Sequence, residues 1–187
     1  MTIHEYGDRD KPHILLVHGM WMCHEMMLPY VEKMRNDYHI IAPDLTGHGD
    51  DMGNFSGAEV DAIKIGKWLA DHDIKTMDLM FSASLGCVVA MYIIADSPWL
   101  TVKCSVMEGA ALTRMRGVEW MFRAMMGGMQ KHHDAIYKMY SSVSVNDGVA
   151  KKIADSIGRT DKKALACMVH TDIVCICSSI RKNTVIY

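Results

Sequence analysis

The sequence predicts an α/β fold built on a doubly wound, mostly parallel sheet. Short apolar runs of strand length alternate, up to about Ala111, with segments of helical periodicity, which is the rhythm of β-α-β units. Polar residues follow the ends of these runs, where parallel sheets usually carry their sites. Half of the 187 residues are hydrophobic, which is enough for a core of domain size.

Each predicted strand is a short run rich in apolar or β-branched residues. His13–Val17 is almost continuously apolar, as expected for a strand that is covered on both faces, whereas Ile3–Tyr6 is more polar and fits an edge. The predicted strands, in chain order, are Ile3–Tyr6, His13–Val17, Tyr38–Ala42, Met77–Phe81 and Val102–Met107.

The helices predicted between these strands have recognisable starts. The first begins near Met27 and tolerates Pro29 in its first turn. Ser56 and Glu59 have the spacing of a capping box, which opens the second. The third, Leu85–Ala95, is apolar all round and is therefore expected to be central and buried.

The segment around Ser84 has the pattern of a nucleophile elbow, a sharp turn from a strand into a helix with a serine at the corner. Such a turn strains the serine backbone and requires small neighbours, here Ser82 and Gly86. The usual pattern is G-x-S-x-G, and this chain has S-x-S-x-G. The following helix N-terminus would offer free N–H groups to a developing oxyanion.

Three further polar features follow predicted strands: His18, Asp44 and Glu108. Because the carboxyl ends of parallel strands meet at one edge, we expect these residues to lie near Ser84.

Three motifs together give the chain a family resemblance. HG-x-W at His18–Trp21, PD-x-x-GHG at Pro43–Gly49 and S-x-S-x-G at Ser82–Gly86 occur in the order of the α/β-hydrolase family. The chain resembles that family over about residues 3–111.

The resemblance implies specific roles for residues of the three motifs. Ser84 would be the nucleophile, and the backbone N–H groups of Met20 and Leu85 would form the oxyanion hole. His18 and Gly19 would shape the turn that delivers Met20. Gly86 would complete the elbow, while Asp44 and His48 would order their loop.

After Ala111 the rhythm changes to four helical segments without an intervening strand. They resemble the helical cap that the family inserts into its core. The predicted organisation is therefore a hydrolase core at 1–112, a helical cap at 113–178 and a return strand of the core at 179–187. One apolar stripe at helical spacing is interpreted first as the packing face of the cap; it consists of Val118, Met121, Phe122, Met125, Met126 and Met129. It is also a candidate roof for a substrate pocket to which Trp21 contributes.

The family's catalytic acid and histidine usually follow strands that come after the cap, so both would lie beyond Tyr187. Glu108 occupies a position where some members carry the acid. His24, His132, His133 and His170 are interpreted as surface or structural residues rather than as the base. We therefore expect an incomplete hydrolase core that lacks the last strands and the C-terminal helix. Its exposed edge strand could pair with a second copy of the chain.

Composition excludes several function classes. The net charge is −2 and no long basic run exists, so nucleic acid is not an expected partner. The polar N-terminus is unlike a secretory signal, and no apolar run is long enough to span a membrane. The six cysteines have no framework spacing and are expected to be reduced, as in a cytoplasmic protein. No cofactor and no metal site are predicted.

These observations predict hydrolysis of a carboxylic ester or thioester, a small acyl substrate, through an acyl-Ser84 intermediate. A chain without the acid and base is expected to be weakly active or inactive. Two alternatives stay open: a non-catalytic protein that binds an apolar ligand in a capped pocket, and an interaction module that uses the cap or the edge strand.

Overall fold

The computed structural model describes residues 1–109, 119–143 and 146–169. The predicted return strand, its use in a homodimer and His170 fall outside these residues. No helix in the described part is long and apolar enough to cross a membrane.

Within residues 1–109, the core of the fold is a five-stranded sheet that is parallel except at one edge. Its strands are β1 (Thr2–Tyr6), β2 (His13–Val17), β3 (His39–Asp44), β5 (Leu79–Ala83) and β7 (Ser105–Glu108). Their order across the sheet is β1-β3-β2-β5-β7, and only β1 runs antiparallel to its neighbour. Two short strands, β4 (Thr76–Met77) and β6 (Thr101–Val102), pair in parallel beside it.

Helices cover both faces of the sheet. Those in the first half of the chain are a 3-10 turn (His24–Met27), α1 (Leu28–Met34), α2 (Ala58–Asp71) and α3 (Leu85–Asp96). Successive residues of β2 point to opposite faces, so Ile14 packs in the cluster with Val31 of α1, and Leu15 packs in the cluster with Ile65 of α2. This two-sided burial explains the continuous apolar run. Nine of the twelve residues of α3 are buried, as its all-round apolar sequence predicts.

Long-range pairing changes the ends of several predicted strands. The β3 strand continues to Asp44 because β1 pairs alongside it, with Thr2 opposite Asp44. The run predicted as Met77–Phe81 is divided into β4 and β5 at Asp78. This residue accepts a hydrogen bond from the His13 N–H through its carboxylate and donates its own N–H to the His13 carbonyl. The run predicted as Val102–Met107 is likewise divided into β6 and β7.

The predicted capping box at the start of α2 is wrong. The helix begins at Ala58, Gly57 rather than Ser56 occupies the N-cap position, and no side chain caps the helix. Without Ser56 at the cap position, Glu59 cannot complete the box.

Four helices follow β7 in the described part of the chain, and we refer to them together as the cap. They are α4 (Glu119–Met129), α5 (His133–Ser141), α6 (Asp147–Arg159) and α7 (Lys162–Val169). The predicted cap of α6 by Asn146 is confirmed, since its side chain accepts a hydrogen bond from the Val149 N–H. Asp161 rather than Thr160 caps α7, because its carboxylate accepts the Ala164 N–H at 2.7 Å.

One lysine links the cap to the core. The Nζ of Lys152 on α6 lies 2.7 Å from a carboxylate oxygen of Glu25 in the 3-10 turn and 2.7 Å from one of Asp50. The α6 helix is therefore held over the loop that follows β3.

Candidate active site

Ser84 stands at the corner between β5 and α3 with a strained backbone. Its φ is 48° and its ψ is −114°, an uncommon conformation for a residue other than glycine. The Ser84 N–H donates to the Glu108 carbonyl at 2.8 Å, and the Ser84 carbonyl accepts the Cys87 N–H at 3.0 Å. The residue is exposed. The structure thus presents the hydroxyl-bearing residue to solvent from a fixed, sharp turn.

The neighbours of Ser84 are small because other backbone segments come very close. A Cβ at Gly86 would lie 2.5 Å from the Val17 carbonyl oxygen and 2.6 Å from that of His18, so β2 and α3 can approach only with glycine there. Ser82 is buried where the usual pattern has glycine, and its hydroxyl donates to the Val106 carbonyl at 3.4 Å. That bond to β7 gives the buried hydroxyl a partner.

A second strained turn lies beside the elbow. The Met22 N–H donates to the Gly19 carbonyl at 3.3 Å, which places Met20 and Trp21 in the middle of the turn. Trp21 has a φ of 59°, an outlier for a bulky aromatic residue. A Cβ at Gly19 would lie 3.3 Å from the Ser84 Cβ, so this turn contacts the elbow directly.

The two amides expected to form the oxyanion hole are free of protein acceptors in the described residues. Leu85 is the first residue of α3, so its N–H has no partner within the helix. The Met20 N–H donates to no acceptor in the described part either. Backbone donors left unpaired next to an exposed serine can accept a developing negative charge on a substrate oxygen.

His18 connects the oxyanion turn to the loop after β3. Its ring is fully buried, and Nδ1 lies 2.7 Å from the Gly19 carbonyl, while Nε2 accepts the Leu45 N–H at 3.1 Å. Because a carbonyl can only accept, Nδ1 carries the proton and the ring is neutral. Burial lowers the pKa of His18, in agreement with this neutral form. With both nitrogens occupied, His18 positions the turn and cannot act as a base.

Asp44 organises the loop that follows β3. Its buried carboxylate accepts the backbone N–H groups of His24 at 2.7 Å and Asp50 at 2.8 Å, and it lies 3.1 Å from His24 Nδ1. A Cβ at Gly49 would overlap with this carboxylate. Burial by itself raises the pKa of Asp44, but the hydrogen bonds from His24 and Asp50 outweigh it and hold the pKa well below its usual range.

His48 is buried in the same loop. Its Nδ1 lies 3.1 Å from the Thr46 carbonyl, and its Nε2 has no partner in the described part of the chain. Burial, together with the neighbouring His18 ring, lowers the pKa of His48 to about 4. The ring is therefore neutral at physiological pH.

Comparison with known proteins identifies the family. The sequence model described as "Alpha/beta hydrolase family" matches residues 14–161. The chain belongs to the alpha/beta hydrolase family. The match includes the turn at His18–Trp21, the Pro43–Gly49 loop, the Ser84 elbow and most of the cap.

Solved structures of alpha/beta hydrolases share this fold at low sequence identity. An esterase from Exiguobacterium antarcticum is similar with a TM-score of 0.76 and 12% identity, over 98% of this chain and 75% of that chain. The enol-lactonase from Burkholderia xenovorans LB400 has a TM-score of 0.72 and 18% identity, over 99% and 76% of the two chains. A hydrolase from Pseudomonas aeruginosa PA01 has a TM-score of 0.72 and 12% identity, over 98% and 74%. No curated protein sequence matches the chain. Identities this low show the fold alone.

The candidate acid and base of this alpha/beta hydrolase are not assembled around Ser84 in the described residues. Glu108 ends β7, and its backbone carbonyl, not a carboxylate oxygen, accepts the Ser84 N–H. His133 lies 2.9 Å from Asp155 in an exposed pair that joins α5 to α6, and His132 is exposed. His24 is occupied by Asp44, as expected for a structural histidine.

The predicted pocket residues divide between the core and the cap surface. Trp21 is buried, and its indole N–H has no partner in the described part of the chain. Met121 and Met125 are 51% and 50% exposed, so neither belongs to an enclosed pocket wall, whereas Met126 of the same stripe is buried in the main apolar cluster and Met129 packs against that cluster. Among the described side chains, only part of the predicted stripe therefore faces inward. The Phe122 side chain lies outside the described part, and its role stays a prediction.

Sequence reasoning missed a polar cluster beneath the Asp44 loop. His4 of β1 stacks on His24 with ring centroids 3.4 Å apart, and its Nε2 lies 3.2 Å from Asp44. Asp50 adjoins the same group, with an oxygen 3.8 Å from His4 Nε2. No spacing in the sequence could have indicated this cluster, because antiparallel pairing of β1 with β3 brings residues 40 positions apart together.

Proposed function

We propose that this chain cleaves a carboxylic ester or thioester with Ser84 as the nucleophile. One observation carries the proposal: an exposed serine at a strained elbow contacts the turn that contains Met20. Within the described residues, the N–H groups of Met20 and Leu85 have no acceptor. The esterase and lactonase folds similar to this one support an acyl substrate.

In the acylation step, the Ser84 Oγ bonds to the carbonyl carbon of the substrate. Negative charge develops on the carbonyl oxygen and is accepted by the N–H groups of Met20 and Leu85. The bond to the alcohol or thiol leaving group then breaks, and the proton lost by Ser84 passes to that leaving group. Water subsequently releases the acid and restores Ser84.

The described residues fit a weakly active enzyme better than an efficient one. None of the described histidines hydrogen-bonds to Ser84, so no side chain among them is placed to take its proton. An oxyanion hole and a bound substrate still leave residual catalysis when triad members are missing. We therefore expect acylation by activated esters with slow turnover.

A fluorophosphonate probe tests the nucleophile because it forms a covalent adduct with an activated serine. We expect one adduct per wild-type chain, mapped to Ser84 by mass spectrometry, and none in Ser84→Ala. Ser142→Ala removes an exposed serine at the end of α5 and should label like the wild type. Equal labelling of wild type and Ser84→Ala, or no labelling of the wild type, would refute the assignment.

A second candidate function is the binding of a small apolar ligand without turnover. The absence of a base contact to Ser84 in the described residues favours it, as do the half-exposed methionines of α4. Octanoate would then raise the melting temperature of the wild type and of Ser84→Ala equally. Ester hydrolysis that disappears in Ser84→Ala would exclude this alternative.

We also propose a reducing compartment such as the cytoplasm. Cys23, Cys87, Cys104 and Cys167 are free thiols, which supports the proposal.

A further inference from the structure

The cluster beneath the Asp44 loop has the composition and spacing of a metal site. It brings together His4 from β1, His24 from the 3-10 turn, Asp44 from the end of β3 and Asp50 from the loop after it. One nitrogen or oxygen atom from each of the four lies within 4.8 Å of all the others. We propose that these four side chains bind one divalent transition-metal ion, with Zn²⁺ as the representative ligand.

Three of the distances between the four side chains are close to those around a four-coordinate ion. His4 Nε2 and His24 Nδ1 lie 3.2 Å and 3.1 Å from Asp44 Oδ2, and His4 Nε2 lies 3.8 Å from Asp50 Oδ2. Bonds of about 2.1 Å in a tetrahedron separate neighbouring ligand atoms by about 3.4 Å. The three distances lie within about 0.4 Å of that spacing. Because the His4 and His24 rings are stacked with an interplanar angle of 14°, one ring must also rotate before both nitrogens point at a single ion.

The donor set selects the class of metal. Two imidazole nitrogens and two carboxylate oxygens suit Zn²⁺ and its transition-metal neighbours, whereas Ca²⁺ and Mg²⁺ prefer sites made of oxygen alone. The net charge of the cluster also favours a divalent ion. Asp44, Asp50 and the adjacent Glu25 carry three negative charges, and Lys152 supplies one positive charge, which leaves two for a divalent ion to neutralise.

Burial and supporting contacts favour a built site over a chance surface group. The side chains of Asp44 and His24 are 0% and 7% exposed, while His4 and Asp50 are open enough to admit an ion. Backbone N–H groups of His24 and Asp50 orient the Asp44 carboxylate. Lys152 holds the Oδ1 of Asp50 and leaves Oδ2 directed to the cluster.

Four protein ligands are typical of a structural rather than a catalytic ion. The ion would join β1, the 3-10 turn and the Asp44 loop, and through Asp50 it would adjoin the Lys152 contact that holds α6. The expected consequence is metal-dependent stability, which does not depend on Ser84.

Metal binding is measured on the full chain after chelator treatment and dialysis, by elemental analysis and by competition with a chromogenic zinc chelator. We expect one Zn²⁺ per chain and a rise in melting temperature on its addition. His4→Gln and Asp50→Asn should each weaken binding at least about tenfold. His133→Gln alters an exposed histidine–aspartate pair and should leave binding unchanged.

A measurement without variants covers the case in which His4→Gln or Asp50→Asn fails to fold. Diethyl pyrocarbonate modifies accessible histidines, and Zn²⁺ should protect His4 in the wild type while the exposed His72 and His133 still react. Absence of stoichiometric binding to the wild type, equal binding by His4→Gln and His133→Gln, or failure of Zn²⁺ to protect His4 would overturn the proposal. In each of these cases we would conclude that the cluster only supplies hydrogen bonds to Asp44 and binds no metal ion.

Discussion

Gly86→Ala tests whether the elbow depends on the close approach of β2 to α3. The new Cβ would lie 2.5 Å from the Val17 carbonyl oxygen, about 0.9 Å closer than an ordinary contact of about 3.4 Å. Both close atoms belong to the backbone of β2 and its end, so the helix start must move. Overpacking of this kind costs about 1–3 kcal/mol. In an open helical position the same substitution stabilises by roughly 0.5–1 kcal/mol, so the predicted sign is reversed here.

The assay is thermal and urea-induced unfolding, with Gly158→Ala as the matched control. Gly158 is also helical, and a Cβ there meets no atom within 4 Å. We expect Gly86→Ala to lose about 2 kcal/mol and roughly 4–8 °C in melting temperature, and Gly158→Ala to gain up to about 1 kcal/mol. Fluorophosphonate labelling of Ser84 should also slow in Gly86→Ala. Gly86→Ala as stable as Gly158→Ala would refute the inferred packing of the elbow.

Two further predictions concern buried and capping side chains. In buffer that contains a chelator, the free energy of unfolding should fall from about pH 6.5 towards pH 4. In the unfolded chain His48 gains a proton near pH 6.5, whereas burial holds its pKa at about 4 in the folded chain. The neutral His48 therefore contributes about 3 kcal/mol to the free energy of unfolding, which is fully present above pH 6.5 and is lost by pH 4. His48→Gln should flatten this part of the urea-derived profile, and parallel profiles would contradict the reasoning. Asn146→Ala should cost about 1 kcal/mol because the Val149 N–H loses its cap, while the exposed Asn54→Ala should change the urea midpoint little; equal midpoints for the two variants would count against the cap.

Local patterns in the sequence predicted the features that depend on neighbouring residues. The apolar run His13–Val17 is buried on two faces, the all-apolar α3 is central, and Asn146 caps α6. These outcomes follow from side-chain periodicity and short-range hydrogen bonds, which a sequence displays directly.

Features that depend on distant residues were predicted less well. The break at Asp78 depends on its bonds to His13, and the extension of β3 to Asp44 depends on pairing with β1. In the predicted stripe of α4, Met126 is buried whereas Met121 and Met125 are half exposed, because tertiary packing decides which of several adjacent apolar positions face inward.

By itself, the sequence determined that a serine would follow a buried strand and precede a buried helix, with residues small enough for a sharp turn. Tertiary structure decided what surrounds that serine: the strained Trp21 turn beside it and the neutral, fully bonded His18. It also decided that His4, His24, Asp44 and Asp50 meet. The physical reason is that backbone strain and small side chains are local requirements, whereas the meeting of polar atoms depends on which strands become neighbours in the sheet.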